Sequence, residues 1–98
     1  MIRHILLIQF KDASDESEIE KIKAMFLAMP GKVTGVIAVE WGENDSPEGM
    51  NQGFTHTVMM TFSDEKARQS YLPHPAHEKL KEVFIPLLED IIVFDYQV

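Results

Sequence analysis

Ile2–Phe10, IRHILLIQF, is the stretch on which the fold turns. Successive residues of an extended chain point to opposite faces. Ile2, His4, Leu6, Ile8 and Phe10 therefore share one face, and Arg3, Ile5, Leu7 and Gln9 share the other. Both sets are mostly apolar, so the segment reads as a strand that is covered on both sides. Outward from it, Lys11–Ser14 is a polar turn, and Ser14 or Asp15 is a suitable cap for a helix with acidic residues in its first turn. Ile19, Ile22, Met25, Phe26 and Met29 recur at helical spacing and predict a helix to about Ala28 or Met29, stopped by Pro30-Gly31.

Val36–Trp41 reads as a second strand. Gly42–Gly53, GENDSPEGMNQG, has the composition of a surface loop. Phe54–Phe62 predicts a third strand, with Phe54, His56, Val58, Met60 and Phe62 on one face and Thr55, Thr57, Met59 and Thr61 on the other. Ser63-Asp64-Glu65 opens a short helix to about Tyr71. Leu72-Pro73-His74-Pro75 interrupts it, because two prolines this close do not fit one regular helix. Ala76–Leu88 resumes as a helix with the stripe Leu80, Val83, Phe84, Leu87 and Leu88, bent in its last turn by Pro86, and Asp90–Val98 is a final strand.

The order β-α-β-β-α-β, with the second helix broken, predicts an α+β fold of ferredoxin-like type: a four-stranded antiparallel sheet with helices on one face. Its 98 residues suit one domain, 1–98, since two domains would each be too small for an adequate core. Two helices cover one face only. Ile5, Leu7, Ile92, Phe94 and Tyr96 would line the other, and an apolar sheet face of this kind is readily buried against its own copy. The expected assembly is a homodimer in which two sheets pack face to face around a barrel-like core, a dimeric α/β barrel.

Composition narrows the function. The chain has no cysteine, which excludes a disulfide scaffold, thiolate metal sites, a cysteine nucleophile and thiol redox chemistry. A net charge of −7 argues against nucleic acid and against an anionic membrane surface as partners. No apolar run approaches the length of a membrane span, and a soluble, cytoplasmic protein is expected. There is no glycine-rich phosphate loop and no legible serine triad.

Four histidines remain: His4, His56, His74 and His77. His4 and His56 lie on the strand faces assigned toward the helices. His74 and His77 lie in YLPHPAH, just after Tyr71. A proline-held kink lets Tyr71 and His77 turn toward each other, so that Tyr71, His77, His4 and His56 would converge on one cavity inside the protomer. A histidine on an apolar strand face serves equally well as a hydrogen-bonded core residue, and both readings stand. The His74–His77 spacing suits metal ligation on a helix, but no further ligand pattern accompanies it, so no metal and no cofactor are expected. What remains is acid–base chemistry by imidazole and phenol in an apolar pocket: proton abstraction next to a carbonyl, followed by carbon–carbon bond formation or isomerisation.

RHILLIQFKD at the start, EWGEN and GFTHTVMMTF in the middle, then YLPHPAH and VFDY, resemble the stress-responsive A/B barrel domain family, often called Dabb, over nearly the whole chain. The resemblance implies dimeric α+β barrels of ferredoxin-like protomers. It also implies a range of roles, from heat-stable plant stress proteins to a cofactor-independent polyketide cyclase. Carried over from that cyclase, the general acid/base is His77 and its partner is Tyr71. The pocket histidines are His4 and His56, and the apolar wall is Leu6, Ile8, Ile22, Phe26, Val58, Val83, Ile91 and Val93. Leu80 and Leu88 stand where the cyclase has aromatic residues, and the PGKVTG loop also differs, so a differently shaped pocket is implied. The resemblance thus leaves two functions: a pocket for a small apolar or carbonyl-containing ligand, or a cyclase- or lyase-like enzyme.

Overall fold

The computed structural model describes residues 1–98. Its elements are β1 (Ile2–Phe10), α1 (Glu16–Leu27), β2 (Val36–Glu43), β3 (His56–Phe62), α2 (Glu65–Tyr71), α3 (Pro75–Phe84) and β4 (Leu88–Gln97), with 3-10 turns at Met29–Gly31 and Ile85–Leu87. One antiparallel sheet has the order β2-β3-β1-β4. β1 is central, as its two apolar faces require, and the helices cover one face of the sheet. This is the ferredoxin-like α+β fold.

Local chemistry sets the helix ends. The Asp15 carboxylate accepts from the Ser17 amide at 3.1 Å, and Glu16 and Glu18 occupy the first turn of α1, where the helix dipole favours negative charge. Asp64 caps α2 through the Ala67 amide at 2.8 Å. His74 caps α3, its Nδ1 accepting from the Ala76 amide at 3.0 Å, and Pro75 takes the first helical position, where a missing N–H costs nothing. Ile19, Ile22 and Phe26 of α1 and Leu80 and Phe84 of α3 bury their stripes against Ile2, Leu6, Ile8, Val58, Met60 and Phe62 of the sheet. Gly35 holds φ at +93°, and a Cβ there would lie 2.4 Å from the Ala67 Cβ; only glycine lets the entry to β2 pass this close to α2.

Several boundaries differ from the sequence reading. β2 runs on to Glu43 because Gly42 and Glu43 find partners in Thr57 and His56. β3 starts at His56, not Phe54: Asn51 engages both backbone groups of Phe54 at 2.9 Å and keeps that residue in the loop. The last helix stops at Phe84, well short of Leu88. Pro86 has no amide to donate, so the chain tightens into a 3-10 turn. β4 then begins at Leu88 and pairs with Phe10 across a bulge.

The outer sheet face carries Leu7, Ile92, Phe94 and Tyr96 exposed, with Phe94 61% accessible. No helix is long and apolar enough to cross a membrane.

Candidate functional site

Tyr71 ends α2, and His77 lies in the first turn of α3. Between them, Leu72-Pro73-His74 reverses the chain, with the His74 amide donating to the Tyr71 carbonyl at 3.1 Å. The reversal brings the two rings to a centroid separation of 4.3 Å. His77 Nδ1 lies 2.8 Å from the Leu72 carbonyl oxygen. A carbonyl only accepts, so Nδ1 carries the proton, and the lone pair of the neutral ring sits on Nε2. Burial lowers the His77 pKa below the ordinary histidine value. The Leu72 bond and the Glu78 carboxylate oppose the shift, while the neighbouring Lys81 and His4 add to it. The ring is thus kept as a neutral base. Burial alone raises the Tyr71 pKa above the ordinary phenol value, so this residue is a proton-bearing donor at neutral pH. Its ring is almost wholly buried, yet its hydroxyl has no hydrogen-bond partner in the protein and is not sealed from solvent.

His4 approaches from the sheet, its ring centroid 6.5 Å from that of Tyr71. The β1–β4 register places Asp95 directly opposite, and His4 Nδ1 donates to Asp95 Oδ1 at 2.7 Å. The second oxygen of Asp95 accepts from Arg68 of α2 at 3.0 Å, and Arg68 also pairs with Glu65. One carboxylate therefore ties β1, β4 and α2 together and fixes the His4 tautomer.

These groups border a cavity of about 310 Å³ between β1, β4 and the helices. Of the residues expected to form the pocket, Leu6, Phe26, Ile91 and Val93 line it together with His4, Tyr71 and His77, and Leu80, Phe84 and Leu88 complete the apolar wall. Leu72, Ile85 and Val93 are exposed and mark its mouth, which opens at the edge strand β4. The remaining expected residues lie elsewhere. Ile8, Ile22 and Val58 are sealed in the core, and Val83 packs half-buried against it. His56 does face the helix side of the sheet, but it pairs with Ile8, four residues along β1 from His4. Its ring packs on Phe10 and Trp41 at centroid distances of 5.1 and 5.5 Å, and its Nδ1 is 2.7 Å from Thr55 Oγ1. Four residues of strand span about 13 Å, so the expected convergence of all four groups gives way to His4, Tyr71 and His77, with His56 at the other end of the sheet. His74 is committed to capping α3. No group of three or more His, Cys, Asp or Glu is arranged to hold a metal ion.

The sequence reading missed Asp95, Arg68 and Lys81. Strand parity offered a signal for Asp95, which shares the inward face with Ile91 and Val93. Helix spacing offered one for Lys81, four residues beyond His77. Nothing local marked Arg68, whose role depends on tertiary packing.

The description Stress Responsive A/B Barrel Domain matches residues 2–98. The stress-response A/B barrel domain-containing protein HS1 of Arabidopsis thaliana is 31% identical over 96 residues, covering 98% of this chain and 88% of that protein. Olivetolic acid cyclase of Cannabis sativa is 27% identical over 95 residues, covering 97% and 94%. The crystal structure of At3g17210 from Arabidopsis thaliana superposes with a TM-score of 0.93 at 31% identity, covering 100% and 95%. More distant solved structures of the same fold include a hydroxynitrile lyase from Passiflora edulis and proteins described as dimeric and ferredoxin-like. With its fold, its strand order and a match from residue 2 to residue 98, the chain belongs to the stress responsive A/B barrel domain family.

Proposed function

We propose that the cavity takes a small carbonyl compound and that His77 and Tyr71 perform cofactor-independent acid–base chemistry on it, of the kind a lyase or cyclase uses. The observation that carries this reading is the pairing of a neutral imidazole, its Nε2 free, with a phenol that has no acceptor in the protein, their rings 4.3 Å apart at an apolar cavity. A carbonyl oxygen would supply the acceptor that the Tyr71 hydroxyl lacks. His77 Nε2 would then take a proton from the carbon beside that carbonyl. The C–H electron pair moves into the carbonyl group, and the resulting enolate oxygen is held by the Tyr71 O–H. The enolate carbon then attacks a second carbonyl carbon, whose C=O π pair moves onto its own oxygen, and His77-H⁺ returns the proton to that oxygen; a lyase runs the same steps in reverse. The likeness to olivetolic acid cyclase agrees with this reaction class. His4 lies on the sheet side of the cavity and helps to fix the ligand, and Asp95 positions its ring.

The same reading includes a homodimer through the outer sheet face. Ile92, Phe94 and Tyr96 are too apolar and too exposed for a lone sheet, and a second copy would bury them around a twofold axis. The cavity lies on the helix side, so it remains within each protomer.

The experiment is ligand titration with acetophenone, followed on the histidine ring signals by NMR. Shifts centred on His77 and His4, reduced in Tyr71→Phe, are expected. Shifts confined to His56, or none at millimolar ketone, would reject the pocket.

A further inference from the structure

Ten of the thirteen residues around the cavity are hydrophobic, and the other three are His4, His77 and Lys81. No carboxylate lines it, although the chain as a whole has a net charge of −7. Lys81 is thus the one lysine or arginine at the cavity. It lies four residues after His77 on α3, so the two share a helix face, just over one turn or about 6 Å apart along the axis. Its ammonium reaches Glu78 Oε1 at 2.9 Å, but that carboxylate is more than half exposed, and an ion pair so open to water holds its partner weakly. The flexible stem lets the ammonium swing toward the cavity without losing the apolar contact of its methylenes.

From this juxtaposition we propose that the site selects an anionic carbonyl compound, a keto acid whose carboxylate meets Lys81 while its carbonyl meets Tyr71 and His77. The inference rests on the function proposed above and adds the substrate class. The spacing sets the ligand's dimensions: carboxylate and carbonyl stand about one helical turn apart, as across a benzene ring, with an apolar body between them to fill the wall formed by Leu80, Phe84 and Ile91. The lowering of the His77 pKa by Lys81 fits the same arrangement, since the cation that receives the carboxylate also disfavours protonation of the neighbouring base.

The test compares 4-acetylbenzoate with 4-acetylbenzamide, a neutral isostere with the same ketone, by calorimetric titration of the full chain. The acid is expected to bind about tenfold more tightly than the amide, the usual gain when a hydrogen bond becomes charge-assisted. Lys81→Met should abolish that ratio by weakening the acid far more than the amide, while Lys81→Arg should keep the ratio. Circular dichroism confirms that each variant is folded, which the half-exposed position favours. Equal binding of acid and amide to the wild-type protein would overturn the inference and leave the carbonyl pocket standing. A preference for the acid that survives in Lys81→Met would overturn it too, placing the anion elsewhere. Binding of neither ketone would overturn both this inference and the function it rests on.

Discussion

His77 gains its basic character from being partly buried while its Nδ1–H is committed to the Leu72 carbonyl. Its folded pKa lies below the ordinary value of 6.5, so the neutral form persists into mildly acid solution. Activity that needs this base should be flat above pH 6.5 and fall as the pH drops through the lowered value, with an acid limb below that of a free imidazole. The linkage has the same direction. The folded state binds the proton less readily than the unfolded one, so the contribution of His77 to stability is complete above pH 6.5 and is lost as pH falls through the folded pKa. An NMR titration of the His77 ring gives the midpoint directly, and a value above 6.5 would reverse both statements. Tyr71 separates stability from function. Its hydroxyl has no protein partner, so Tyr71→Phe should change stability by less than about 1 kcal/mol, yet weaken ketone binding about tenfold. Denaturant melts and calorimetry measure the two effects separately.

At the scale of elements, the site depends on two strands, β1 and β4, and on the three helices packed against them. Asp95→Asn should loosen the ring of His4 and cost about 1 kcal/mol for that hydrogen bond, seen as a lower urea midpoint and as faster exchange of the His4 ring N–H. Gly35→Ala should cost more, about 2–3 kcal/mol, because the new methyl overlaps Ala67 and the backbone keeps φ positive. A melt unchanged by that substitution would mean that α2 can shift away from β2. The strands and helices were legible in the sequence because period-2 and period-3.6 patterns report which face of each element is buried, and every element was found. Phe54 and Leu88 were misassigned because their state is set by specific partners that periodicity does not report: Asn51, which folds the preceding loop back onto Phe54, and Phe10, distant in the chain and paired with Leu88 across a bulge. The Tyr71–His77 pairing was legible because prolines act locally. The distance between His4 and His56 was not, because parity specifies the face of a sheet but says nothing of position along it.

For the whole molecule, one sheet face is closed by helices and the other is left apolar. Phe94→Asp, which would set an unpaired charge in a sheet-to-sheet interface, should convert a dimer into a monomer or cost several kcal/mol in the assembled state. Light scattering at micromolar concentration reports the change, and a monomeric wild-type protein would remove the dimer. The central claim is that this scaffold holds a base and a phenol against a carbonyl without help from a cofactor. Proton NMR in D2O tests it most directly, by following deuterium entry into the methyl group of 4-acetylbenzoate. The wild-type protein should accelerate exchange well above the buffer rate, and His77→Ala should lose about a hundredfold or more of that acceleration while still binding the ketone. Exchange at the buffer rate with the ketone seated in the cavity would contradict the account.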